Sequence, residues 1–227
     1  MKIGILLSGC GVYDGAEVQE AILAMLAIEE IGGTVVPISV NKNQHHVINH
    51  MTGEEMQEQR NMLIEAARIS RGNVRDIATI SPADIDALVI PGGFGSAKNF
   101  TTWAFSGPDS DILPEVKLLL VNMVNVGKPI VALCVSPVVV AKALQGSGIQ
   151  SEMTIGTITS TSPYDISSFN SGLQATGVLT HDSSLSEITV DRKNKIITAP
   201  CYMLEASLLD VHKNIQLAMQ ELKNILK

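Results

Sequence analysis

Cys134 lies between small residues two positions before and two after it, Ala132 and Ser136, in the stretch ALCVS. An apolar run precedes it and a helix-opening proline, Pro137, follows. This is the spacing of a nucleophile elbow, in which a sharp strand-to-helix turn tolerates only small neighbours and pushes the nucleophile outward. A thiol at a helix start also faces unpaired amides and the positive end of the helix dipole, which predicts a pKa lowered toward neutrality. The same residues also describe an inert, buried cysteine ending a core strand, and the pattern does not separate the two.

Two further groups suit the same chemistry. Gly92, Gly93, Phe94 and Gly95 follow the apolar run Asp86–Ile90, and glycines there let backbone N–H groups approach an oxygen as an oxyanion hole, or else simply make a turn. Glu17 and Glu20 stand three apart at the start of a helical stretch, on roughly one face. They are either favourable partners of the helix dipole or, if one is buried against Cys134, a proton-transfer group with a raised pKa.

Other constellations point to less. Gly9 and Gly11 make G-x-G after a strand, but Gly15 comes one position late and Ser39 and Asn41 stand where a ribose-binding acid is wanted, so NAD binding is disfavoured. His45, His46 and His50 have no carboxylate or cysteine completing a metal spacing and are expected to be loop histidines, so no metal is expected. His181 and His212 are isolated, and the methionines fall at core spacing.

These groups need a scaffold. Ile3–Leu7, Thr34–Val40, Asp86–Ile90 and Lys128–Leu133 are predicted strands. Helical spacing runs over 16–31, 61–71, 113–125 and 137–144. Pro37 predicts an irregular or edge position for the second strand. Alternation of strand and helix implies a parallel sheet with right-handed crossovers and helices on both faces, with ligands outside the carboxyl ends of the strands. The loops that end there are 8–15, 92–99 and the turn at Cys134. Residues 41–60 are a polar excursion without a period. Short strands are expected at Met153–Ile158, Ile188–Val190 and Ile196–Thr198, the last two joined by a hairpin over 191–195, and a long helix over Leu204–Leu226.

Composition sets the class. With 227 residues, 45% hydrophobic and 17% charged, the chain can bury a large core and is expected to form a single domain, 1–227. A net charge of −7 argues against a nucleic-acid partner. No window suits a membrane span or a signal peptide, and three cysteines make no disulfide framework. A soluble, cytoplasmic protein is expected.

Several longer motifs, taken in order, resemble one family. They are SGCGVYDG at 8–15, VINHMTGE at 47–54, Arg60 and Asn61 with IEAAR at 64–68, PGGFG at 91–95 with AKN at 97–99, and GKP at 127–129 leading to Cys134. From residue 3 to about Met203 they look like the ElbB group, described as enhancing lycopene biosynthesis or sigma cross-reacting. It belongs to the PfpI-like, class I glutamine-amidotransferase-like superfamily.

The resemblance implies a flavodoxin-like, doubly wound α/β fold, commonly homodimeric. Cys134 matches the elbow cysteine, Glu20 the glutamate partner with Glu17 as alternative, and Gly93 an oxyanion donor that Gly92, Phe94 and Val135 could share. Two departures stand out. Val135 occupies the place where many relatives carry histidine, and no later histidine matches the amidotransferase His-x-Glu, so glutaminase and peptidase activities are not expected. Gln19 also replaces a histidine common in the group.

What the resemblance implies for activity is a cofactor-free glyoxalase. Glyoxal, with methylglyoxal as a second substrate, would become the hydroxy acid through a Cys134 hemithioacetal with Glu20 moving the proton. The alternative is a redox-sensing or regulatory protein that uses Cys134 without turnover. The group name alone suggests a link to isoprenoid metabolism.

Overall fold

The computed structural model describes residues 1–227. In chain order the elements are β1 (Lys2–Leu7), α1 (Val18–Glu30), β2 (Thr34–Ser39), α2 (Met62–Ile69), β3 (Arg75–Asp76), β4 (Ala87–Ile90), α3 (Trp103–Ser106), α4 (Pro114–Asn125), β5 (Ile130–Leu133), α5 (Pro137–Leu144), β6 (Glu152–Met153), α6 (Ile166–Ala175), β7 (Leu179–Thr180), β8 (Thr189–Asp191), β9 (Ile196–Ala199) and α7 (Leu208–Ile225).

Seven strands form one sheet in the order β3-β2-β1-β4-β5-β9-β8. All neighbours are parallel except the β8–β9 hairpin at one edge. Strands β1, β4, β5 and β9 are almost continuous apolar runs because helices cover both faces of the sheet; Ile3 through Leu7 apart from Gly4, and Ile130 through Leu133, are completely buried core residues. Helix α1 packs against both α7 and α2, and α4 packs against α5. The chain runs from β1 outward to β3 and then returns to place β4 on the other side of β1. That reversal opens a crevice at the carboxyl ends of β1 and β4, where this class of sheet binds ligands.

Local signals set the helix boundaries. Asn61 caps α2 by accepting from the Leu63 and Ile64 amides at 2.9 and 3.3 Å. Ser207 and Asp210 form a capping box for α7, so that helix begins four residues after the expected Leu204. The expected strand at 153–158 is a second correction: only Glu152–Met153 pairs, with β7 in a separate two-stranded sheet. Thr154 instead turns its hydroxyl to the Gly156 amide at 3.1 Å, which ends the strand. Helix α6 was not expected at all. Pro37 lies in β2 opposite Ile5, with β3 pairing only Ile38 and Ser39 on its outer side, so no sheet donor is missed.

The excursion over 41–60 is held by isolated bridges, Asn43 with Asn61 and Ile48 with Glu55. It is tied to the crevice by side chains. Asp14 accepts from the Ile48 amide at 2.7 Å. Asn99 accepts from the His45 amide at 2.8 Å and donates to the carbonyls of Ser8 and Asp14 at 2.9 and 2.8 Å.

Candidate active site

Cys134 follows β5 with φ of 55°, a left-handed conformation that costs a side-chain-bearing residue energy and persists only where surroundings enforce it. Here they do. Its amide donates to the Ala199 carbonyl at 2.9 Å, and the Ser136 hydroxyl donates to the Pro91 carbonyl at 2.5 Å while contacting the Ser96 hydroxyl at 2.8 Å. The turn is thus clamped to the loops after β4 and β9. The small residue at 136 is required for its hydroxyl as well as its size.

Glycine at 92 makes room for the thiol. A Cβ there would stand 2.4 Å from the Cys134 Cβ, 2.7 Å from its Sγ and 2.5 Å from the Glu20 Oε2. Gly93 has φ of 94°, and a Cβ on it would meet the Glu17 amide nitrogen at 2.3 Å. No side chain is possible at either position without moving backbone.

Glu20 is completely buried on α1. Its Oε2 accepts from the Gly92 amide at 2.8 Å and its Oε1 from the Tyr202 amide at 3.1 Å, and it lies beside the Cys134 sulfur against Gly92. Burial, with the neighbouring Glu17 charge adding to it, raises its pKa to about 8. A shift this large favours the protonated acid near neutrality, and a backbone amide binds each carboxyl oxygen.

Glu17 has a different task. It caps α1, its Oε2 accepting from the Glu20 amide at 2.6 Å, and burial raises its carboxyl as well. Of the two glutamates, Glu20 meets Cys134 and Glu17 completes the helix start.

The expected low thiol pKa is corrected. Burial pushes the Cys134 thiol well above its ordinary value, with the Glu20 charge and Cys201 adding to the rise, while the Gly93 and Val135 amides facing the sulfur pull the other way. Desolvation outweighs the helix start. Two such groups in contact hold one negative charge between them at most near neutrality.

The expected set of four oxyanion donors is also narrowed. The Gly92 amide is occupied by Glu20, and the Phe94 amide donates to the Val12 carbonyl at 2.7 Å. Only the amides of Gly93 and Val135 face the sulfur.

Two tyrosines were not singled out in the sequence. Tyr164 packs its ring edge-on to Phe94 at 5.7 Å, and its phenol is pushed up to about 12 by burial and then by Cys134 and Glu20. Tyr202 supplies the amide to Glu20, and its hydroxyl bonds Gln19. Together with Glu17, Val12 and Pro163 they line a cleft of about 470 Å³. A larger cavity of about 770 Å³ lies between α1 and α7, away from the nucleophile.

No histidine joins the site. His45, His46 and His50 lie in the excursion; His181 stands 2.9 Å from Glu152 and His212 3.9 Å from Glu30. No cluster of three histidine, cysteine or acidic side chains could hold a metal ion.

The mostly parallel sheet covered by helices on both faces is the fold of the DJ-1/PfpI-like and amidotransferase-like α/β proteins. No family model matches the chain, but individual proteins do. The human glutamine amidotransferase-like class 1 domain-containing protein 3, mitochondrial, is 38% identical over 94% of this chain and 79% of its own length. The rat ES1 protein homolog, mitochondrial, is 37% identical over 94% and 80%.

A solved structure from Ehrlichia chaffeensis, described as an isoprenoid biosynthesis protein with amidotransferase-like domain, is 36% identical with a TM-score of 0.90 over the whole of both chains. Drosophila melanogaster DJ-1beta, at 17% identity and a TM-score of 0.55 over 99% and 94%, shares the fold. The chain belongs to the ES1-like family of glutamine amidotransferase-like class 1 domain proteins. No helix is long and apolar enough to cross a membrane.

Proposed function

We propose that the protein is a cofactor-independent glyoxalase acting on small 2-oxoaldehydes, glyoxal first and methylglyoxal second. The observation that carries this reading is the completely buried Glu20 carboxyl set beside the Cys134 sulfur, both packed against the Cα of Gly92. In the active form the Cys134–Glu20 pair has lost one proton: the Glu20 carboxylate takes the thiol proton as sulfur adds to the aldehyde carbon and passes it on to the carbonyl oxygen, giving a hemithioacetal and a Glu20 carboxylate. That carboxylate removes the C–H proton and returns it to the adjacent carbon, leaving a thioester and a hydroxymethyl group. Water then releases glycolate and restores the thiol. The Gly93 and Val135 amides support the oxygen that carries charge between these steps. Oxidation of one carbon balances reduction of the other, so the chemistry requires no redox cofactor.

Glycolate formation from glyoxal, with the purified protein alone, tests this. Turnover lost in Cys134→Ser is expected; aldehyde loss without glycolate, or activity untouched by the substitution, rejects it.

A redox or regulatory role for Cys134 is the second reading, favoured by the lack of a site histidine. The sparse, unpaired cysteines suit a reducing compartment such as the cytoplasm, although the human and rat relatives carry mitochondrial names. A homodimer is part of the proposal: Val18, Ile22 and Leu26 form an exposed apolar stripe along α1.

A further inference from the structure

Four residues other than glycine have positive φ, and two of them, Arg71 and Lys195, are exposed or half-exposed turn residues. The other two are buried cysteines, Cys134 at 55° and Cys201 at 45°. They occupy equivalent places. Cys134 follows β5 and precedes α5; Cys201 lies just beyond β9 and opens a single helical turn, Cys201–Met203. Strands β5 and β9 are hydrogen-bonded neighbours with Leu133 opposite Ala199, so the two strained turns sit side by side at the same end of the sheet.

They are tied to the same groups. The Cys134 amide donates to the Ala199 carbonyl, two residues before Cys201, at 2.9 Å, and Glu20, beside the Cys134 sulfur at Gly92, takes the amide that follows Cys201. Cys201 is itself held from both sides: its amide donates to the buried Asn214 side chain at 3.0 Å, and the next amide, that of Tyr202, donates to Glu20. A serine or alanine could keep those two backbone bonds. The glyoxalase steps make no use of the second thiol.

We propose that Cys201 is the resolving thiol of a peroxide-reactive pair, converting oxidised Cys134 into an intramolecular disulfide. The proposal rests on Cys134 being the nucleophile, as in the function above. Cys134 sulfur attacks a hydroperoxide, the O–O bond breaks, and the Glu20 proton leaves with the departing oxygen as water or an alcohol; the thiol proton restores Glu20. Cys134 is left as a sulfenic acid. The Cys201 sulfur then attacks that sulfur, the S–O bond breaks, and hydroxide departs with the Cys201 proton as water. One peroxide is reduced and two thiols are oxidised to one disulfide. A small external dithiol reverses the step.

The experiment uses the full chain, reduced, freed of reductant and titrated with hydrogen peroxide, followed by intact mass and a non-reducing peptide map. The expected result is a loss of about 2 Da, a linked pair of peptides containing Cys134 and Cys201, and recovery of the original mass with dithiothreitol. In Cys201→Ser, and in Cys201→Ala as a second variant, Cys134 should instead accumulate adducts of about 16 and 32 Da.

Wild-type protein that gains those adducts as fast as the Cys201 variants, or that links Cys10, overturns the proposal. The wild-type map decides even if neither variant folds. Glyoxal turnover of the reduced protein is measured separately, so a failure of the disulfide leaves that activity standing and a failure of the activity leaves the disulfide standing.

Discussion

Glu20 and Gly92 are 72 residues apart, yet the Glu20 Oε2 accepts the Gly92 amide at 2.8 Å and would lie 2.5 Å from a Cβ at that glycine. The contact fixes the carboxyl beside the thiol with no side chain between them. Because the Tyr202 amide holds the other oxygen at 3.1 Å, the carboxyl cannot rotate away without losing a buried hydrogen bond. The carboxyl is thus positioned beside the thiol by α1 and by backbone amides from the segments after β4 and β9.

The raised Glu20 pKa makes a statement about stability. An unfolded chain ionises Glu20 near its ordinary 4.5, whereas the folded protein keeps the proton until about 8. Between those values the folded state binds more protons, so this group's contribution falls as pH rises through the window and levels off above it. Thermal melts of wild type and Glu20→Gln from pH 5 to 9 should show a steeper decline in wild type. The variant should start lower, because an amide offers one oxygen to two backbone donors. Glycolate formation should rise with pH through an apparent pKa near 8 in wild type and fall by roughly 100-fold or more in the variant. Parallel melting profiles for the two proteins would show that Glu20 is ionised in the fold.

How much of this was legible in the sequence differs by element. The strands β1, β4 and β5 stand out because strands buried on both faces need unbroken apolar runs, and the elbow because Ala132 and Ser136 flank Cys134. Helix α6 was hidden: its apolar positions Ile166, Phe169 and Leu173 are spread among serines and Asn170, and its cap is Asp165. The direction of the Cys134 pKa was not readable, since it depends on burial by residues distant in the chain, Glu20, Gly93 and Cys201 among them. Nor was the loss of the Phe94 amide to Val12, a partner 82 residues earlier. Tyr202 was invisible for the same reason, because what matters is its backbone amide, and any residue type carries one.

Gly92→Ala tests the packing of the site. The added methyl would meet the Cys134 Cβ at 2.4 Å, and neither neighbour is a free side-chain end, so the turn or Glu20 must move. A cost of about 1–3 kcal/mol in stability is expected from overpacking. Turnover should fall far more than this implies, because displacement of one group by about 1 Å can cost 100-fold. Denaturant unfolding and steady-state kinetics on the same preparation check both, and near-wild-type turnover would mean that Glu20 and Cys134 need not touch.

Asn99 joins the 41–60 excursion to the β1 loop through three hydrogen bonds, to His45, Ser8 and Asp14. Asn99→Ala leaves two buried carbonyls and an amide without that partner, at about 1–3 kcal/mol for each group that water cannot reach. Limited proteolysis should then cut within 41–60 before any other region, while β1 and β4 remain protected from hydrogen exchange. Cleavage starting elsewhere would show that the excursion is held by its own bridges.

The α1 stripe provides the last prediction. Val18, Ile22 and Leu26 are 38, 45 and 45% exposed and recur every fourth residue, so they line one side of the helix. A second copy packed there would remove all three from water, and a carboxylate at the middle position would then be buried without a partner. Light scattering during size exclusion should report a dimer for wild type and a monomer for Ile22→Glu. Helix content should be retained, since residue 22 contributes no core side chain in the single chain. Glu20 lies two positions away on the opposite, buried side, so glyoxal turnover per chain should change little. A monomeric wild type, or a dimer indifferent to the substitution, would remove α1 from any interface.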